Sequence, residues 1–215
     1  GNSELIEAII AARDMSEFAE TVTKTLTALT NSGFAVFHLF DSNEGKFKPI
    51  HTFGGNEALN EDIDASSFEG EFGKILSSKS MSLLTEIPEN TRFFHKTILG
   101  DAVPANIVGF PIVIEHEVKA IISLASFSPY SSVQLEIIRL GMATIGTGFS
   151  NIQANDQSRK LADQLSLKNR ELEAQTIELQ RQSSALNDQN VELEVQQKRV
   201  EDANRLKSEF LSNMS

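Results

Sequence analysis

Ile107-Val108-Gly109-Phe110-Pro111-Ile112-Val113-Ile114 and Val118-Lys119-Ala120-Ile121-Ile122-Ser123-Leu124 stand on either side of Glu115-His116-Glu117. Two runs rich in β-branched residues around a short polar turn predict a β-hairpin, with the second strand continuing to Phe127. Towards the N-terminus, 88–106 (Pro-Glu-Asn-Thr-Arg-Phe-Phe-His-Lys-Thr-Ile-Leu-Gly-Asp-Ala-Val-Pro-Ala-Asn) reads as a long irregular loop. Long loops on compact domains are often functional. Before it come a short strand at 80–87, stopped by Pro88, and a helix at 68–78 with Phe68, Phe72, Ile75 and Leu76 on one face. Residues 57–65 are acidic and carry no assignment. Two further strands, 34–40 and 46–53, are joined by the turn Asp41-Ser42-Asn43-Glu44-Gly45. Residues 4–30 follow helical spacing, with a joint at Asp14-Met15-Ser16 where Ser16 can cap a new turn. Asn31-Ser32-Gly33 ends this helix, with Gly33 suited to the left-handed terminal position.

Towards the C-terminus, Ser131 or Ser132 caps a helix bearing Leu135, Ile138, Met142, Ile145, Phe149 and Ile152 at alternating three- and four-residue steps. A polar stretch, 153–160, follows. Leucine then recurs every seven residues at Leu165, Leu172, Leu179, Leu186 and Leu193, followed by Val200. A strict seven-residue repeat predicts a left-handed, parallel coiled coil. Ile152 and Leu165 are one residue short of two heptads apart, so the apolar stripe changes face between them.

With the leucines at a, the d positions are Lys168, Gln175, Gln182, Gln189, Gln196, Ala203 and Phe210, and Met214 is again at a. Placing the leucines at d puts Asn169, Thr176, Ser183, Asn190, Gln197 and Asn204 at a instead. Either seam is weaker and more adjustable than leucine on leucine. Fully helical, 156–211 would extend roughly 80 Å.

The net charge is −11 and the isoelectric point about 4.8, which disfavours phosphate backbones and anionic membrane surfaces. Cysteine is absent, which removes disulfides, thiolate metal sites, cysteine nucleophiles and thioether-linked chromophores. No apolar run reaches the length of a membrane span and no signal peptide is visible, so a cytoplasmic fragment is expected. A longer parent can still be membrane-tethered. Two regions follow from the composition: 1–152, with enough apolar residues for one core, and 153–215, with the composition of an exposed helix.

The order of helix, two strands, helix, strand, long loop, hairpin and long helix resembles a GAF domain over about residues 5–152. The likeness is carried by 107–114, with its central Pro111, the short turn, and 118–124, where Ala120 stands in place of a frequent Gly. The resemblance implies an α+β fold, an antiparallel sheet flanked by helices, and a sensory role. The tail Ala203-Asn204-Arg205-Leu206-Lys207-Ser208-Glu209-Phe210-Leu211-Ser212-Asn213-Met214-Ser215 is similar to the segment preceding the phosphoacceptor histidine of two-component sensor histidine kinases. By that resemblance the histidine would follow Ser215, at a c position facing solvent, and the parent would supply the kinase catalytic domain and a response regulator.

The four histidines, His38, His51, His95 and His116, form no i,i+4 pair, so no metal site is spelled out. His38 and His51 could neighbour each other across the first hairpin, as hydrogen-bonded strand residues. The candidate ligand site is Arg92, Phe93, Phe94 and His95, with Phe53, Phe110 and Ser123 lining the same cavity from the sheet. Cations, aromatic faces and a titratable ring suit an anionic or aromatic small molecule. The competing reading is a loop that pins Phe93 and Phe94 into the core. No phosphate-binding loop, catalytic triad or cofactor motif is present. The expectation is a non-enzymatic sensory module, forming a parallel homodimer through Leu165, Leu172, Leu179, Leu186, Leu193, Val200, Phe210 and Met214. It has no evident cofactor and an unidentified small-molecule ligand. The alternative is a passive dimerisation scaffold.

Overall fold

The computed structural model describes residues 6, 9, 12–66, 70–87, 91–97 and 100–213, with backbone only for 70–71, 95–97 and 100–101. The chain forms two compact units, Gly1–Gln157 and Ser158–Ser215.

In the first unit, helix α1 (Met15–Thr30) precedes β1 (Phe34–Asp41), β2 (Lys46–Phe53), a 3-10 turn (Glu57–Asn60) and β3 (Ile63–Asp64). Helix α2 (Gly70–Ser78), β4 (Ser82–Leu84), β5 (His95–Thr97), β6 (Gly100–Ala102), β7 (Asn106–Ile114) and β8 (Glu117–Ser126) follow, then helix α3 (Ser132–Asn213). Six strands form one sheet in the order β3-β2-β1-β8-β7-β4, with antiparallel pairing throughout. The expected hairpin is β7–β8, and its turn residues Glu115 and His116 both take positive φ, 51° and 67°. The loop expected over 88–106 instead contains the small hairpin β5–β6.

The helix ends differ from the sequence reading in detail. Asp14, not Ser16, caps α1: its carboxylate accepts from the Glu17 amide at 2.9 Å. A carboxylate reaches a first-turn amide and also favours the positive end of the helix dipole. Asn31, not Gly33, takes the left-handed C-terminal position, with φ 51° and ψ 41°. Gly33 is needed for a different reason: a Cβ there would lie 3.0 Å from the Phe127 ring. Ser131 caps α3 through a reciprocal pair, donating its amide to Gln134 Oε1 at 2.8 Å and accepting from the Gln134 amide at 3.3 Å. Most of 4–11, and Phe68, lie outside the described residues.

Both faces of the sheet are buried. On one, Phe18, Val22 and Leu26 of α1 and Ile138, Ile145, Phe149 and Ile152 of α3 pack on Ala35, Phe37, Val108, Phe110, Ile122 and Leu124. Phe18 meets Phe37 and Phe149 edge-on, with centroids 6.0 and 6.3 Å apart, a favoured aromatic geometry. On the other face, Phe72, Ile75 and Leu76 of α2, with Leu59, Ile63 and Phe93, cover Phe34, Val36, Phe47, Ile107, Ile121 and Ala125. A polar seam ties α1 to the start of α3. Thr30 Oγ1 bonds Ser32 Oγ and Ser32 Oγ bonds the Tyr130 hydroxyl, each at 2.7 Å, and Gln134 Nε2 donates to the Thr30 carbonyl at 2.6 Å.

Two irregularities set the faces. In β1–β2 the register steps from His38↔Pro49 to Phe37↔His51, leaving Ile50 as an extra residue. In β7–β8 it steps from Val113↔Val118 to Ile112↔Ala120, leaving Lys119 extra. Because successive strand residues alternate sides, one extra residue exchanges the faces of everything beyond it.

The second unit carries the helix beyond Gln157, with Leu165, Leu172, Leu179, Leu186, Leu193 and Val200 all exposed. Met214 lies outside the described residues. Among the described residues, no helix is long and apolar enough to cross a membrane.

Two glycines separate conformational from steric cost. Gly45 has φ +66° with open space around it, whereas Gly54 has φ +69° and a Cβ there would sit 2.4 Å from the Gly33 carbonyl oxygen. Gly45→Ala should lower unfolding stability by about 1–2 kcal/mol. Gly54→Ala should lower it by about 3 kcal/mol or more, because backbone must also shift. Urea unfolding of the two variants checks the order, and equal losses would contradict it.

Candidate functional site

The face of the sheet under α2 holds the polar residues of interest. Val36, His38, Ile121 and Ser123 share that face, since Val36 pairs with Ser123 and His38 with Ile121. Gly109 faces Ser123 across β7–β8. A Cβ at Gly109 would lie 3.6 Å from Ser123 Oγ and 2.4 Å from Ile75 Cδ1, so glycine lets α2 settle directly over this spot. His38 is 2% exposed, and Phe72 meets its ring edge-on at 5.6 Å. The ring bonds the Glu61 backbone, yet Nδ1 has no hydrogen-bond partner among the described residues, and neither does Ser123 Oγ. Buried polar atoms without partners are uncommon, and two of them diagonally adjacent on one face mark a place where a hydrogen-bonding group would be welcome.

Burial pushes the His38 pKa from 6.5 down to about 4, and the Arg92 charge pushes in the same direction. The imidazole is therefore neutral near pH 7 and can present a lone pair or an N–H. Arg92 Nη1 donates to the Asp62 carbonyl at 3.4 Å. The segment carrying Arg92 is fixed by Asn56, whose Nδ2 donates to the carbonyls of Arg92 at 3.1 Å and Phe94 at 2.6 Å. Asn56 also caps the 3-10 turn, accepting from the Ala58 amide at 2.7 Å. Its clamp joins residues 36 and 38 positions apart, which no local pattern announces.

Of the expected lining, Ser123, Phe93 and Arg92 come to this face, and Phe94, half-buried, stands beside them on the clamped segment. Phe93 is 1% exposed and belongs to the core, as the competing reading of the loop has it. His95 opens β5 opposite Ala102, and its side chain is outside the description.

Phe110 and Phe53 are corrections. Phe110 pairs with Ile122 and packs in the α1–α3 layer, on the opposite face from Ser123. Counted from the turn without the bulge, Phe110 would pair with Ile121 and share the Ser123 face. Phe53 pairs with Ala35, also on the α1–α3 side, and is 38% exposed. His38 and His51 likewise do not meet. His51 pairs with Phe37, and its Nδ1 bonds Thr23 Oγ1 of α1 at 2.7 Å. The Ile50 bulge moves both His51 and Phe53 to that side. The signal that sequence reasoning undervalued was His38 itself, a titratable group in a run of β1 that is otherwise apolar from Phe34 to Phe40.

The arrangement offers hydrogen bonds and shape rather than bond-making. Ser123 Oγ has no base within hydrogen-bond reach among the described residues, so nothing activates it as a nucleophile. Among the described residues, no three His, Asp or Glu side chains gather as metal ligands.

Residues 12–150 match the family described as GAF domain. The chain is similar in structure to the GAF domain of a phosphoenolpyruvate-protein phosphotransferase from Coxiella burnetii. The TM-score is 0.60 at 14% identity, covering 73% of this chain and 94% of that one. It is also similar to a GAF domain/HD domain protein from Geobacter sulfurreducens, with TM-score 0.51, 15% identity, and 69% and 98% coverage. A methyl-accepting chemotaxis protein, residues 122 to 287, gives TM-score 0.53, 13% identity, and 70% and 97% coverage. No curated protein matches the chain.

The low pKa of His38 carries a stability consequence. Between pH 6.5 and about 4 the unfolded imidazole binds a proton that the folded one does not, so stability rises with pH across that window. The contribution is complete above the upper limit and falls away by up to about 3 kcal/mol as pH drops through the lower one. Urea unfolding from pH 7 to pH 4 should show a steeper loss for the native chain than for His38→Leu. Parallel profiles would rule out a buried neutral His38.

Proposed function

The chain belongs to the GAF domain family, and from that premise we propose that it is the sensory input and signal-transmission module of a two-component histidine kinase. GAF domains are sensory and regulatory modules. In this reading a small molecule, or the state of a neighbouring domain, acts on the face holding His38, Ser123 and Arg92. The response changes the packing of two α3 helices lying in parallel in a homodimer. Their altered packing regulates autophosphorylation of a histidine that follows Ser215, with a response regulator receiving the phosphoryl group. The resemblance of 203–215 to the segment before that histidine supports the kinase context.

The observation that carries the reading is the exposed seven-residue stripe. Leu165, Leu172 and Leu179 are 62%, 57% and 65% exposed in the single chain. Burying such a side chain is worth roughly 1.5–3 kcal/mol, and a second copy supplies the matching stripe. The same seven-residue phase also runs backwards. Val133, Leu140, Thr147, Ala154 and Leu161 precede Lys168 at seven-residue steps in the d half of the seam. In the a half, Ile137 is in phase with Leu165, with the polar Thr144, Asn151 and Ser158 between them. Val133, Leu140 and Leu161 are exposed. The outer stripe therefore accompanies the inner one (Ile138, Ile145, Ile152) along the start of α3, and the change of face expected between Ile152 and Leu165 is an overlap of two stripes.

Polar d positions keep the seam adjustable, since a switch requires two packings within a few kcal/mol of each other. A second reading, a passive dimerisation spacer, is favoured by one observation: Ile75 over Gly109 and Phe93 in the core leave His38 and Ser123 covered by protein.

Sedimentation should give a dimer at micromolar concentration, and replacing Leu172, Leu179 and Leu186 by Asp should give a monomer. A monomeric native chain would sink the proposal. Replacing Gln175, Gln182 and Gln189 by Leu should raise the melting point of the coil and fix kinase output in the full-length parent. Output that stayed fully responsive would remove the switch and leave the spacer.

A further inference from the structure

A cleft lies on the same side of the sheet as the covered His38–Ser123 spot but shares no residue with it. It opens between the end of α2 and the hairpin ends of β1–β2 and β7–β8, with a volume of about 280 Å³. Phe40, Phe47, Leu76 and Val118 form its apolar walls. The Phe40 and Phe47 rings are 5.1 Å apart and tilted by 48°. An apolar cavity of about 150 Å³ takes a benzene ring, so this open cleft has room for a ring with a short polar substituent.

The polar rim is made by Lys79, His116 and Glu117. Lys79 follows the end of α2 with φ 50°, and Glu115 and His116 turn the β7–β8 hairpin with φ 51° and 67°. Among the described residues, two of the four non-glycine positions with positive φ, Lys79 and His116, therefore stand at this rim.

The charges decide the ligand's sign. The Glu117 carboxylate is engaged by Lys119 Nζ at 2.5 Å. That bond, first, and the Lys119 and Lys79 charges hold it below the usual carboxylate range. Lys79 Nζ spends one proton on the His116 carbonyl at 2.6 Å; among the described residues that neutral group is its one hydrogen-bond partner, which leaves two N–H donors. Lys79 is the basic side chain that lines the cleft, and the Glu117 carboxylate beside it is engaged by Lys119, so the Lys79 ammonium next to the aromatic wall keeps donors for an incoming acceptor.

We propose that this cleft binds a small aromatic carboxylate, with the ring between Phe40, Leu76 and Val118 and the carboxylate on Lys79. The site stands independently of the coiled coil and of the kinase reading, so failure of either leaves the other testable.

Isothermal titration of the purified chain with phenylacetate, 2-phenylethanol and acetate tests it, with ligand-observed saturation transfer as a second readout. Phenylacetate should bind saturably, and its ring protons should receive more saturation than its methylene. The neutral alcohol should bind about tenfold more weakly, the size expected for one charge-assisted hydrogen bond, and acetate should not bind. Lys79→Gln should weaken phenylacetate by the same factor and leave the alcohol unchanged. Ala65 also lines the cleft, and Ala65→Phe, which fills it from a half-exposed position, should abolish both. Equal affinity for acid and alcohol, indifference to Lys79→Gln, or binding that survives Ala65→Phe would overturn the assignment, as would no saturable binding at all.

Discussion

A β-strand offers its neighbours only two sides, and in the centre of this sheet both are buried. Strands β1, β7 and β8 carry a helical layer on one side and α2 with its associated loops on the other. Each residue in the buried stretches of those strands must therefore belong to one interior or the other, and a polar side chain there has no solvent to turn to. His38 and Ser123 fall on the α2 side, where each keeps an atom without a partner among the described residues. His51, on the other side and near its edge, finds Thr23. The chemistry of the molecule is in this sense a consequence of the side on which each polar residue falls.

The strands and helices were legible because their signals are local. β-branched runs, turn residues and 3.6-residue spacing mark β1, β2, β7, β8, α2 and the start of α3 to within a few residues. The hairpin β5–β6 escaped because its strands are only three residues long and carry Gly, Asp and Lys rather than a run of strand-forming residues. The side of each strand residue was not legible. Ile50 and Lys119 look like ordinary strand residues, yet each is the extra one in its pair. Regular pairing would place Phe110, Phe53 and His51 towards α2, and all three lie on the opposite side. Asn56 escaped for another reason: its contacts to 92 and 94 are tertiary, and a capping asparagine looks the same whether or not it also clamps a distant loop.

The long helix shows the opposite case. Its pattern reads as a single stripe changing course, whereas near its start α3 bears two stripes at once. Ile138 and Ile145 point into the domain, while Val133 and Leu140 remain exposed. A helix can carry both because its circumference has room for two apolar faces. At 3.6 residues per turn, Arg139, Gly146 and Ser150 fall between the two faces on one flank. The polar d positions further along reduce what the outer stripe could gain from a partner, which is the property a movable contact requires.

The two bulges have one more implication. Chain length in these strands is itself information: losing Ile50 or Lys119 would exchange the linings of the two interiors from that point on without altering any other letter. Descendants of such a sheet could thus acquire a new binding surface by a single-codon insertion or deletion, and an alignment scored on identity alone would pass over the event.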